Sequence, residues 1–232
     1  MNEACIPFVV FGAGSFASDI FDIVHESDGR VERIYLNVPE SRHERVLPLR
    51  ERFALLGYEV SIHDSLAGFE PSPGREYVLG FVSAAKKRLV EELKRKHGIT
   101  FRALVHPRAH MGSNVHVGEG AIINAGAIIA PNARCGDFCM INRGATVGHE
   151  SHIGMYSIVG PSAAIAASCR IGEMATIGIG ACVLEKIEIG RRSTIGAGSV
   201  VTTDIPEGVL AWGVPARVVR AMGGEHGEGI SG

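Results

Sequence analysis

Two short stretches of this 232-residue chain hold residue types suited to chemistry. One is Val147-Gly148-His149-Glu150-Ser151-His152. An imidazole beside a carboxylate is what a general base needs, because the acid orients the ring and supports its protonated form. A histidine on a solvated wall has the same neighbours and no role. The other stretch runs from Ile6 to Phe11 into Gly12-Ala13-Gly14-Ser15-Phe16-Ala17, with Phe16, Ile20, Ile23 and Val24 at helical spacing. Strand, glycine loop and helix together present backbone N–H groups to a phosphate, and a tight strand-to-helix turn uses the same glycines. A dinucleotide site adds an acid about 20 residues on. The second strand instead ends at Leu36-Asn37, which weakens that version. The five cysteines, odd in number and without a CxxC pair, read as reduced thiols of a cytosolic protein.

What positions these groups follows from a repeat. From Val105 to Pro206 the chain divides into 17 gapless hexads. Position one is Val, Ile, Met or Cys in all 17, and position five is Ala, Ser, Cys, Val or Ile in all 17. Position two is Gly, Asn or Ala in 14 of them, which suits a corner of positive φ. β-branched residues at one fixed position and small ones four later make a β-solenoid, with coils stacked about 4.8 Å apart over one aliphatic core. His149 takes position three, pointing away from that core, and His152 position six. Cys135, Cys139 and Cys169 take core positions and read as structural, as does Cys182 at position six.

Residues 1–104 are a different material. Apolar runs at 6–11, 31–36, 58–62 and 77–81 predict strands. Lys86–His97 predicts an amphipathic helix with Leu89, Val90 and Leu93 inward, stopped by Gly98. Alternating strands and helices imply a small Rossmann-like parallel α/β domain. The segment 38–57, with Pro48 in a helical-looking stretch, is ambiguous. The division is therefore 1–104, then the solenoid 105–206, then a short cap and a frayed tail over 207–232. A net charge of −2 gives no broad attraction to nucleic acid or anionic lipid, and no apolar run has membrane-spanning length.

Three blocks together resemble one family over nearly the whole chain. They are Val105-His106-Pro107-Arg108-Ala109; Asn142-Arg143-Gly144-Ala145-Thr146-Val147-Gly148-His149-Glu150; and Ile195-Gly196-Ala197-Gly198-Ser199-Val200-Val201 with Asp204-Ile205-Pro206 and Gly213-Val214-Pro215-Ala216-Arg217. Behind a small α/β domain, they resemble the hexapeptide-repeat sugar acyltransferases: the bacillosamine-pathway and perosamine N-acetyltransferases and the sialic-acid O-acetyltransferase. The resemblance implies a left-handed parallel β-helix of three hexads per coil and a cytoplasmic homotrimer with active sites between subunits. It implies acetyl-CoA as co-substrate, no metal, and acetyl transfer to the amine of a nucleotide-linked amino sugar.

Site by site, the resemblance makes His149 the general base and Glu150 the acid that orients it. It lines the nucleotide-sugar pocket with Gly12, Gly14, Ser15, Phe16, Asn37, Val38 and Ile158, and sets acetyl-CoA along Ala167, Ile179 and Ala197. Three departures stand out. Ile158 occupies the position of a second family histidine, Phe16 that of a first-turn histidine, and Asn37-Val38 that of an acidic pair. Alternatives are O-acetylation of a sugar or sialic acid, a γ-carbonic-anhydrase-like zinc site using His149 and His152 or His106, His110 and His116, and a trimeric binding protein without activity.

Overall fold

The computed structural model describes residues 5–12, 16–36, 47–55, 57, 59–80 and 85–222. The chain divides into two compact units, Met1–Leu104 and Val105–Gly232. The first unit runs β1 (Ile6–Phe11), α1 (Ala17–Glu26), β2 (Gly29–Tyr35), α2 (Leu49–Leu55), β3 (Ser61–His63), β4 (Glu76–Leu79) and α3 (Ala85–His97). Among its described residues four strands lie parallel in the order β3-β2-β1-β4. Phe8 to Phe11 are all buried, and α1 turns Ala17, Ile20, Phe21, Ile23 and Val24 inward. β2 starts two residues before the expected Val31, at a glycine. A β-carbon on Gly29 would meet the Phe8 ring at 2.6 Å, so only glycine lets the strand pair there. Pro48 begins α2 rather than breaking it. Its carbonyl accepts the Arg52 N–H (3.0 Å), and a first-turn proline forgoes no helical hydrogen bond.

In the second unit, seventeen two-residue strands follow one another every six residues from Leu104–Val105 to Val200–Val201. Each begins at hexad position six and ends at position one, so position six points outward and position one inward. Stacked parallel strands form three faces. The first runs from Leu104–Val105 through Ile158–Val159 to Thr194–Ile195, the second from His110–Met111 to Val200–Val201, and the third from His116–Val117 to Glu188–Ile189. The interior is a single column of Ile, Val, Ala and Cys, with Ile123, Ile141, Val159, Ile177 and Ile195 stacked coil upon coil.

Positive φ falls at position four, not position two as expected. All fifteen corners from Asn114 to Gly198 have it, and ten are not glycine, among them Phe138, Glu150, Tyr156 and Met174. Hydrogen bonds between coils hold these corners, as where the Glu150 N–H donates to the Pro131 carbonyl (3.2 Å). Glycine at position two answers a close approach instead. A β-carbon on Gly148 would sit 2.5 Å from the Ala166 carbonyl carbon. Buried serines at position five replace alanine without loss, because Ser151 Oγ donates to the Ala166 carbonyl (2.9 Å) and accepts the Cys169 N–H (3.0 Å). The expected cap is an antiparallel hairpin, Val209–Gly213 with Ala216–Ala221, which extends the first face beyond Thr194–Ile195. The tail from 223 on lies outside the described residues.

Candidate active site

His149 and Glu150 form the two-residue corner between the second and third faces, after Thr146–Val147 and before His152–Ile153. Both side chains are exposed. Glu150 takes the left-handed conformation (φ 59), and no hydrogen bond joins its carboxylate to the imidazole among the described residues. The backbone is better fixed than the side chains. The His149 carbonyl accepts the Ser168 N–H (2.9 Å), and the Ser151 hydroxyl ties the same coil to the next. The rigid corner presents the exposed imidazole from a fixed backbone position. His152 lies midway along the third face, paired in register with Arg134 and Arg170, in a column separate from His149.

The other predicted residues of this unit separate into two groups. Ala167 occupies the corner one coil beyond His149, with Ser168 hydrogen-bonded back to it. Ile179 and Ala197 stack on each other at the corner between the first and second faces, where the Gly198 N–H donates to the Ile179 carbonyl (2.8 Å). Ile158 is on the first face between Met140 and Thr176, half-buried. The His149 corner is the vertex opposite that face. A single chain therefore brings Ala167 to His149 but not Ile158, Ile179 or Ala197.

In the first unit Gly12 ends β1 with φ 80 and donates to the Tyr35 carbonyl (2.7 Å). Strand order reverses between β1 and β4, and the crevice at such a switch point is where open α/β sheets bind ligands. Gly80, which the motif reading missed, completes that point. Its N–H donates to the Phe11 carbonyl (2.8 Å), and a β-carbon there would collide with the Gly12 carbonyl. The signal was a glycine directly after an apolar strand. Phe16 is half-buried at the start of α1 and gives it no side-chain cap. Gly14, Ser15, Asn37 and Val38 lie outside the described residues.

Cys135, Cys139 and Cys169 are buried free thiols, and Cys5 and Cys182 are exposed ones. Burial pushes the Cys169 thiol above its ordinary range, and its Sγ–H donates to the Leu184 carbonyl (3.0 Å). A protonated, buried thiol has no nucleophilic use. Among the described residues no three His, Cys, Asp or Glu side chains are grouped to hold a metal ion. His106, His110 and His116 occupy different sides of the first coil. No helix among the described residues is long and apolar enough to cross a membrane.

The family model for bacterial transferase hexapeptide (six repeats) matches residues 168–203. Among solved structures, PerB from Caulobacter crescentus in complex with CoA and GDP-perosamine is 29% identical, with a TM-score of 0.77 over 92% of this chain and 97% of that one. The acetyltransferase domain of PglB from Neisseria gonorrhoeae FA1090 (24% identity, TM-score 0.77, 92% of this chain and 100% of that one) shares the fold. So does WeeI from Acinetobacter baumannii AYE (24%, 0.75, 91% and 99%). No curated protein matches the chain. The architecture is thus a small parallel α/β domain followed by a left-handed parallel β-helix.

Proposed function

We propose, for a chain that belongs to the hexapeptide-repeat sugar acyltransferases, that it moves an acetyl group from acetyl-CoA to the amine of a nucleotide-linked amino-deoxy sugar, with His149 as general base. The observation that carries this reading is the His149 corner, exposed and backbone-locked, within a fold that matches a CoA- and GDP-perosamine-bound transferase along its length. The acceptor nitrogen attacks the thioester carbonyl. Its proton passes to the His149 ring, the C–S bond breaks, and the proton then goes to the departing thiolate. A backbone N–H at a glycine-rich corner meets the oxyanion. Glu150 supports the imidazolium by charge from the adjacent position.

The separation of the predicted residues supports a site shared between copies. Outward residues along the second face from Ile128 are uncharged: Ile128, Thr146, Ala164, Cys182 and Val200. A three-fold ring that turns this face inward sets the His149–Ala167 edge of one copy against the Ile179–Ala197 edge of the next, with Ile158 on the adjoining face. The α/β unit, with its Gly12–Gly80 switch point, selects the acceptor. Acetyl-CoA as donor and five free cysteines fit a cytoplasmic setting.

The test is a panel of UDP-, GDP- and dTDP-linked 4-amino sugars and free sialic acid with acetyl-CoA, read by released thiol. Turnover with an amino sugar is expected, and His149→Ala should lower it about 10²- to 10⁴-fold. Near-normal activity in that variant would refute the assignment, and preference for sialic acid would turn the reading to O-acetylation.

A further inference from the structure

Charge on the solenoid walls is confined to one face. At outward position six the first and second faces hold no Lys, Arg, Asp or Glu. On the third face the same position reads His116, Arg134, His152, Arg170 and Glu188, neighbours in register and about 4.8 Å apart. Arg134 and Arg170 are exposed, and His152 is half-buried between them. None of these three side chains makes a hydrogen bond or ion pair among the described residues. Like groups side by side on a sheet cost stability. Solvent exposure alone favours mixed signs, yet the only acid in the column is Glu188, at its far end. An anion laid along the column removes that cost.

The donors also say which anion. Two guanidinium forks with an imidazole between them span two strand spacings, about 10 Å. A carboxylate fills one fork, whereas a phosphate or diphosphate offers oxygens in several directions, enough for both forks and the ring. The column is one side chain wide. Glu150 on one flanking corner, and Glu119, Asp137 and Glu173 on the other, repel a broad anionic surface such as a membrane or a nucleic-acid duplex.

We propose that Arg134, His152 and Arg170 form a binding site for a phosphate or diphosphate group on the third face. The site goes beyond the acetyl-transfer reading and does not depend on it. His152 follows His149 by three residues in the same coil, within about 10 Å along the backbone, so the anion lies near the candidate base. Two sources share this chemistry: the diphosphate of a nucleotide-linked acceptor, and a free phosphate compound that takes no part in the transfer.

The probe is inorganic pyrophosphate, titrated by calorimetry into the full-length protein without acetyl-CoA. Saturable binding is expected. Arg134→Gln combined with Arg170→Gln should weaken it about tenfold or more and flatten its salt dependence, with a smaller loss in His152→Gln. Glu188→Gln should tighten it severalfold, because the carboxylate beside Arg170 opposes an anion; a purely structural column gives no such gain. Melting scans confirm that these wall variants keep the fold. A second arm separates the sources. If the acceptor supplies the anion, the double variant raises KM for a nucleotide-linked amino sugar with kcat kept, and pyrophosphate competes with that sugar. If a free anion binds, KM is unchanged and pyrophosphate binds alongside the sugar; either result upholds the site. No pyrophosphate binding, or an unchanged Kd in the double variant, overturns the proposal. An equal loss of CoA affinity in that variant also overturns it, by moving the arginines into the donor's site. Ladder-dependent pyrophosphate binding by a protein that acetylates no sugar upholds the site and rejects only the transfer reading.

Discussion

If each site takes one edge from each of two copies, two inactive variants should repair one another. His149→Ala removes the base from one edge. Ile179→Arg puts bulk and charge on the other, at a side chain 62% exposed and outside the core, so the fold is kept. The edges end opposite sides of the second face, six residues apart along the chain. That is roughly 15 Å once the turns are allowed for, beyond the reach of one thioester. In a one-to-one mixture of exchanging subunits, half of the His149 edges are intact and half of the facing edges are intact. About one quarter of the sites then have both, so activity should recover to about 25% of wild type. The assay is released thiol from acetyl-CoA, on co-expressed and doubly tagged mixtures and on each variant alone. Sedimentation confirms that the mixture assembles. A mixture no more active than its two components, although assembled, would refute a shared site.

Ser151→Ala should lower the melting temperature by about 2–6 °C, since it removes two buried hydrogen bonds worth about 1 kcal/mol each, partly offset by relaxation of the Cys169 N–H onto Ala166; a differential scan decides it. A disulfide reagent should titrate two thiols in the native protein, Cys5 and Cys182, and all five after denaturation; rapid labelling of Cys169 would contradict its raised, buried state. The hydrogen bond from Arg30 (2.7 Å), with Arg75 at 3.1 Å, holds the Glu32 carboxyl below its ordinary range of 4.5. A depressed folded-state value stabilises the fold above the unfolded value and ceases to as pH falls through it. Glu32→Gln should therefore cost up to about 1 kcal/mol near neutral pH and nothing once the pH has fallen through the lowered folded-state value, as comparison of melting temperatures from neutral to acid will show.

Hexad spacing alone determined the solenoid and the outward placement of His149, because a six-residue repeat with one β-branched position admits one way of stacking its core. β1, α1 and α3 were equally legible, since their apolar periodicity is strong and local. What the repeat could not convey was which physical demand each glycine meets. Gly148 is needed because the next coil's backbone lies against it, while Glu150 and Tyr156 carry the positive φ that glycine seemed reserved for. That is a distance between coils 18 residues apart, invisible in a local pattern. Gly80 escaped for the same reason, its constraint being the Gly12 carbonyl on another strand. The grouping of the site was also decided in three dimensions. Ala167, Ile179 and Ala197 look alike in sequence, yet a triangular cross-section sends the first to the His149 corner and the other two to the far edge of the same face.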